Sequence, residues 1–420
     1  MPTADVLRSL PEVLPDLEAV YRDLHAHPEL AYTEHRTAGV VAGRLRRDGF
    51  EVTEGIGVTG VVGVLRNGAG PTVMLRADMD ALPVEEKTGL GYASTATTTD
   101  ETGEVVPLMH ACGHDVHVTC LLGAAHLMAA SAGLWSGTLV ALFQPAEEGR
   151  GGAQRMIADG LFDVTGKPDI VLGQHVFPYP AGTVGYRPGP FLAASDGFDV
   201  RLYGRGAHGS RPESGVDPVV LAASTVMRLQ TIVAREVAAH EQAVLTVGAL
   251  HAGTKANIIA DHADLSLSVR SFDRRVSARM VASVRRIIEA ECAASGSPRP
   301  PEFAELFGFT PTVNDPAATE RVAGGLRALL GEDAVTEIPP IMGSEDFGEF
   351  GEVSGAPSVF WALGGADPGA YAAALEAGTV DEEIPSNHSP LFAPVVRPTL
   401  ATGVSALVGA GMEWLGTVRA

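Results

Sequence analysis

Four near-continuous apolar runs constrain this chain more than anything else in it: GVVGVL at 60–65, PTVMLRADMD at 71–80, GTLVALFQPAEE at 137–148 and PDIVLGQHV at 168–176. Runs of Val, Ile and Leu without polar alternation suit strands buried on both faces. With helical stretches between them, they predict an α/β fold: a central, mostly parallel sheet covered by helices. Each of the last three runs ends in residues that coordinate metals or move protons. In open α/β sheets ligands sit beyond the carboxyl ends of the strands, so these endings are expected to converge.

From about Gly189 to Val313 the rhythm changes. Strand-like FDVRLYG leads to a helix from Asp217 (N-cap) and Pro218 through Ala238, then to AVLTVGAL, ADLSLSVRSF, a helix from about Val276 to Ala294, and a strand near FAELFGF. That order, β-α-β-β-α-β, is ferredoxin-like. Because 420 residues exceed what one core usually organises, we expect a lid or dimerisation domain, 189–313, inserted between two parts of a catalytic domain, 1–188 and 314–420.

Charge narrows the partners. Against 30 Lys+Arg stand 51 Asp+Glu, a formal charge of −21, which repels phosphate backbones and anionic lipid surfaces alike. Neither nucleic acid nor membrane is an expected partner. The N-terminus lacks the basic and then apolar pattern of a secretion signal, no run approaches the roughly 18 to 20 apolar residues of a membrane span, and three cysteines do not make a disulfide framework. A cytoplasmic location is expected.

The densest chemistry is MHACGHDVH at 109–117. Cys112 and His114 lie on a Gly-containing loop before an apolar helix (Val116 to Ala130), where the helix dipole favours a thiolate. A thiol nucleophile with its base, a buried thiol among satisfied histidines, and a pair of metal ligands are all open readings at this point. Glu147 and Glu148 close another strand, and neighbours at a strand end point in different directions, so one can bind metal while the other shuttles protons. Asp78 and Asp80 share a face by the period of two, and Asp78 can equally pair with Arg76. His175 ends a third strand. Cys, His, Glu and His at successive element ends are hard to assign to independent structural causes, and a mixed S, N and O set suits Zn²⁺, Mn²⁺, Co²⁺ or Ni²⁺ better than Ca²⁺ or Mg²⁺.

RADMDALP, MHACGHDVH, QPAEEGRGGAQRMIADG, GQHV, GRGAHGSRP, GTKANIIAD, SVRSFD, MGSEDFGEF and NHSP resemble, in order, the motifs of the dinuclear metallo-amidohydrolases related to aminoacylase and carboxypeptidase G. The nearest branch is that of hippurate hydrolase and indole-acetyl-amino-acid hydrolase, and the likeness runs from about residue 20 to 415. The resemblance implies two divalent transition-metal ions held by Cys112, His114, Glu148, His175 and His388, with Glu147 as general base and acid. Asp80 would support the ligands without binding metal. His208 would stabilise the oxyanion, often at a partner subunit's site, and Asn257 and Arg270 would bind substrate polar groups. The implied activity is cleavage of a small-molecule N-acyl amino acid by a homodimer joined through the inserted domain. A non-catalytic metal-containing binding protein and a dipeptidase-like metallopeptidase are the alternatives.

Other segments carry smaller expectations. Gly204 to Gly209 spells G-x-G-x-x-G, but the next helix starts only after Asp217, so no helix N-terminus is there to cradle a pyrophosphate. His25 and His27 are expected to pack at the catalytic domain's edge, His110 and His117 to support the site, and Asp115 to cap the following helix. STATTTDETGEVVP at 94–107 is expected as a polar surface loop, and the role of SEDF at 344–347 is open.

Overall fold

Residues 2–100, 103–149 and 151–417 are described in a computed structural model. The chain divides into two compact units, one of Met1–Gly189, Val313–Pro339 and Asp346–Ala420, the other of Pro190–Thr312 and Pro340–Glu345.

The first unit is built on one large sheet, in the order Glu51–Ile56, Gly60–Asn67, Trp135–Gln144, Thr72–Asp78, Ile170–Pro180, Ser358–Ala366, Val184–Tyr186 and Val335–Glu337. The four strands at its centre, those beginning at Trp135, Thr72, Ile170 and Ser358, are mutually parallel, and antiparallel pairs appear toward both edges. The apolar runs explain this centre. Val73, Leu75 and Ala77, with Leu139, Ala141 and Phe143, join Leu17 and Leu24 of the helix Leu10–His25, Val118 and Leu121 of His114–Ala130, and Val404 and Leu407 of Val396–Met412 in one core. The intervening Met74, Val140, Leu142 and Val171 are fully buried as well, so both faces of the sheet are covered. Register sets Asp78 beside Gln144 and Ala362 beside His175, so the parallel strands deliver their carboxyl ends to one side.

The second unit has its own core, including Val200, Leu202, Leu265, Leu267, Met280 and Ile287. Its antiparallel sheet runs Ala243–Ala252, His262–Ser271, Ala194–Tyr203, Glu302–Phe309, with the helices Pro218–Leu229 and Arg274–Ala294. Asp217 caps its helix by accepting the N–H of Val219 at 2.8 Å. That helix does not continue to Ala238, however. It breaks at Gln230, where the Thr231 hydroxyl donates to the Arg228 carbonyl at 2.7 Å and competes with the helical ladder.

Residues Thr97–Thr99 pair with Val105–Pro107 as a small antiparallel hairpin, so the 94–107 segment is more ordered than the loop expected; Glu101 and Thr102 lie outside the described residues, as does Arg150. No described helix is long and apolar enough to cross a membrane.

Candidate metal centre

Beyond the strand ends of the first unit, donor atoms gather. Sets lying within 4.8 Å of one another include Cys112, Glu148 and His388; His114, Glu147 and Glu148; and Asp78, His114, His117 and His175. Glu148 belongs to the first two sets and His114 to the last two. Cys112 Sγ, 3.4 Å from His175 Nε2, closes the chain, so every residue named above as a ligand, with Glu147, belongs to one cluster.

Local backbone geometry explains how each side chain arrives. Gly113 has φ +82°, and a Cβ there would stand 2.4 Å from Val176 Cγ1. Only glycine fits between Cys112 and His114. The helix His114–Ala130 starts directly after it, buried nearly all round. The strand before the two glutamates stops at Gln144, and Ala146 takes φ +54°. The divergence of Glu147 and Glu148 therefore comes from a left-handed turn, and not from strand pleating as expected. Asp80 holds that turn, Oδ1 accepting the N–H of Glu147 and Oδ2 that of Glu148, each at 3.0 Å. His388 is also left-handed, at φ +69°; its N–H donates to the Ala111 carbonyl at 2.8 Å, and Asn387 Nδ2 donates to the carbonyls of Val176 at 3.0 Å and Cys112 at 3.2 Å.

Hydrogen bonding separates prospective ligands from their supports. His117 Nε2 accepts the N–H of Val176 at 2.8 Å, which leaves Nδ1–H to donate to Asp78; the other Asp78 oxygen accepts from Arg76 at 2.7 Å. Both ring nitrogens of His117 are thus engaged. His175 donates from Nδ1 to the Val176 carbonyl at 2.8 Å, so Nε2 keeps its lone pair beside Cys112, the tautomer a metal ligand needs. His114 differs from both. Its two ring nitrogens, and Oε1 of Glu148, are buried without a well-aligned hydrogen bond; they meet only carboxylate or imidazole atoms, His114 Nδ1 lying 3.3 Å from Asp80 and Glu148 Oε1 3.2 Å from His388 Nε2, a condition folded proteins seldom leave unanswered.

The electrostatics agree. Burial alone would lower the pKa of His114, but Asp78, Asp80 and Glu148 overcome it and push it up to about 10. A field that holds a proton there also attracts a cation. Burial opposes the charge on Glu148 too, yet His388 and His114 hold its carboxyl below the usual range. Burial and the nearby His117 keep His175 neutral, well below its ordinary pKa. Cys112 goes the other way: burial, then Glu148, Glu147 and Asp78, push its thiol well up. In the metal-free protein, burial first and then these three carboxylates work against the thiolate expected at the helix N-terminus. A thiol so held is a poor nucleophile, whereas a bound cation supplies the positive charge it lacks. Thiolate, imidazole and carboxylate donors together fit a borderline transition ion.

The remaining expectations resolve unevenly. Asp115 does not cap the helix: Gly113 occupies the N-cap, and the Asp115 carboxylate accepts from His25 Nδ1 at 2.7 Å. His25 is fully inside the unit and its Nε2 meets Glu86 at 3.1 Å, while His27 is exposed on Asp23. His110 is buried, its ring nitrogens without a partner, and burial lowers its pKa to about 4. Asp346 of the SEDF segment accepts from Gln144 at 2.6 Å, from Arg76 at 3.2 Å and from the Ala153 N–H at 3.0 Å, closing the array behind Asp78. Asn387, Ala111 and Glu34 escaped sequence reasoning because their contacts are tertiary.

His208, Asn257 and Arg270 belong to the second unit. Ala207–His208 pairs with Ile258–Ile259; His208 Nδ1 accepts the Ser210 N–H at 3.1 Å, and the Asn257 carbonyl accepts the Gly209 N–H at 2.8 Å. Arg270 is half-buried and donates to the Met342 carbonyl at 2.8 Å. The glycine-rich loop opens no helix, the next one starting at Pro218.

The sequence of the peptidase family M20/M25/M40 matches residues 74–387. Thermostable carboxypeptidase 1 of Saccharolobus solfataricus is 39% identical over 82% of this chain and 84% of its own, and the hippurate hydrolase of Campylobacter jejuni is 38% identical over 82% and 88%. Among solved structures, the Bacillus subtilis YXEP protein, a dinuclear metal-binding peptidase from the M20 family, superposes with a TM-score of 0.73 at 26% identity, covering 95% of this chain and 98% of that one.

Proposed function

The chain belongs to peptidase family M20/M25/M40, and from that premise we propose that it hydrolyses N-acyl amino acids of the hippurate or N-acetyl type, with Glu147 as general base and then general acid. Membership makes it a metal-dependent amide hydrolase; substrate and residue roles are our reading. The observation that carries it is the gathering of Cys112, His114, Glu148, His175 and His388 in one cluster with the Glu147 carboxylate beside them, because hydrolysis of an amide needs cation ligands and a proton carrier in one place.

Cys112, His114, Glu148, His175 and His388 would hold two divalent ions, Mn, Zn, Co or Ni. Such ions supply the charge that acidifies a water and polarises an amide carbonyl. Glu147 takes the proton of the attacking water and delivers it to the departing nitrogen, while Asp80 keeps the Glu147 backbone in place. His208 is assigned to the oxyanion, and Asn257 and Arg270 to the substrate's polar groups, a guanidinium suiting a carboxylate. We assign the working form to a cytoplasmic homodimer joined through the 189–313 segment.

The carboxypeptidase named among the relatives favours a second reading, removal of the C-terminal residue from short peptides, which asks the same of the site. Reconstitution with Mn²⁺, Zn²⁺, Co²⁺ or Ni²⁺, assayed on N-acetyl and N-benzoyl amino acids beside dipeptides, separates the two. Glu147→Gln should lower kcat by about 10² to 10⁴ with metal still bound. Near-normal kcat in that variant, or activity surviving complete metal removal, would overturn the mechanism.

A further inference from the structure

Glu34 is the N-cap residue of the helix His35–Arg47, where a short acidic side chain ordinarily turns onto the helix's own first amides. It makes no such bond. Glu29 does that work instead, its two oxygens accepting the N–H groups of Arg36 at 2.9 Å and Thr37 at 2.8 Å. The Glu34 side chain is turned inward and fully buried. Oε1 accepts the backbone N–H of Ala146 at 2.9 Å, and Oε2 accepts the hydroxyl of Thr59 at 2.5 Å.

Ala146 is the left-handed residue of the turn that carries Glu147 and Glu148. A residue with a Cβ adopts that conformation only at a cost of roughly 1 kcal/mol or more, so something must hold it. Asp80 secures the two amides that follow. Three successive N–H groups of the turn therefore end on two buried carboxylates, and the Thr59 hydroxyl fixes the second oxygen of the one that grips Ala146. Burying a carboxyl costs stability, and a position needed only for packing is better filled by a hydrocarbon side chain.

We propose that Glu34 is a positioning residue for hydrolysis: through Ala146 it sets the left-handed turn from which Glu147 reaches the substrate. The inference rests on Glu147 being the base, so the test includes that residue. Glu34→Leu, Glu34→Gln, Thr59→Val and Glu147→Gln are prepared as full-length protein and reconstituted with metal. Each is measured for kcat and KM on the best substrate of the panel above, for metal stoichiometry, and for thermal unfolding.

Glu34→Leu should lose about 10²-fold in kcat, the scale of a misplacement near 1 Å, with KM and metal content unchanged because Asp80 still holds the amides of Glu147 and Glu148. Glutamine at 34 can accept from Ala146 and donate to the Thr59 hydroxyl, so Glu34→Gln should recover most of that loss. Thr59→Val, which frees one Glu34 oxygen, should fall between. Wild-type kcat in folded Glu34→Leu overturns the proposal, as does a Glu34→Gln no better than Glu34→Leu, or metal lost together with kcat. If Glu34→Leu does not fold, wild-type kcat in Thr59→Val overturns it. Full activity in Glu147→Gln instead removes the underlying reading, whereas an inactive Glu147→Gln beside a fully active Glu34→Leu removes only the role of Glu34.

Discussion

Asp80 accepts the backbone N–H of Glu147 at 3.0 Å, and its other oxygen takes the amide of Glu148 at the same distance. One side chain thus fixes the spacing of the prospective base and the prospective ligand beside it. Its Oδ1 also lies 3.3 Å from His114 Nδ1, so three elements of the centre depend on one carboxylate.

Asp80→Ala should therefore be costly in two separate ways. Two buried amides lose their acceptor, at about 1 to 3 kcal/mol each, and the Glu147–Glu148 turn loosens, so kcat should drop by at least about 10²-fold. Asp80→Asn keeps one full acceptor and should be intermediate in both. Thermal unfolding and steady-state kinetics on the two variants check this; an Asp80→Ala with unaltered kcat would remove Asp80 from the site.

His25 predicts an alkaline weakness. Burial alone would lower its pKa, but Asp115 and Glu86 outweigh that and push it up to about 10 from an ordinary 6.5. A raised folded-state pKa means the imidazolium stabilises fully below about pH 6.5, and the contribution fades as pH climbs from there through about 10. Metal-free protein should melt at falling temperatures across pH 7 to 10. His25→Gln should melt lower at pH 7 and show a shallower slope, and an unchanged slope would assign the pH dependence to other groups.

Much of the centre was legible because its residues sit at the ends of regular elements. Apolar runs announced central strands, with Glu148 and His175 close to where two of them stop, and Cys112 and His114 stand at the start of an apolar helix. His388 was different: nothing in SNHSP marks a ligand, and only resemblance to a family singled it out, since its place depends on hydrogen bonds to Ala111, Val176 and Cys112 far away in sequence. Glu34 and Asp115 show the same limit. Glu34 leaves its own helix for a partner 112 positions away, and Asp115 divides its carboxylate between the N–H of Val116 and His25, 90 positions away; the distant halves of both leave no local pattern. The left-handed Ala146 is equally silent, because alanine gives no hint of the positive φ that glycine would advertise.

Gly113→Ala tests the turn between two ligands. The new Cβ would lie 2.4 Å from Val176 Cγ1 at a backbone φ of +82°, so strain and overpacking act together, on the order of 2 to 4 kcal/mol. Because Cys112 and His114 flank the position, metal affinity should fall along with stability. Chemical denaturation and metal titration of the variant measure both; wild-type values for either would show that the loop can move aside.

Metal uptake should release protons, and their number identifies the ligands. In metal-free protein at pH 7, Cys112 is a thiol, pushed well up by burial and then by Glu148, Glu147 and Asp78, and His114 is an imidazolium with a pKa near 10 set against burial by Asp78, Asp80 and Glu148. Both must lose a proton to coordinate. His175 is already neutral, because burial and His117 keep it so, and contributes none. Coordination by Cys112 and His114 should therefore release about two protons near pH 7, and on their account apparent affinity should rise up to about 100-fold per pH unit. Calorimetry in buffers of different ionisation enthalpy counts them. Cys112→Ser should reduce the count by about one, since a neutral hydroxyl can coordinate without ionising. If wild type releases only one proton and Cys112→Ser releases the same, the cation is held by His114 without the thiolate, and Cys112 is a bystander in the cluster.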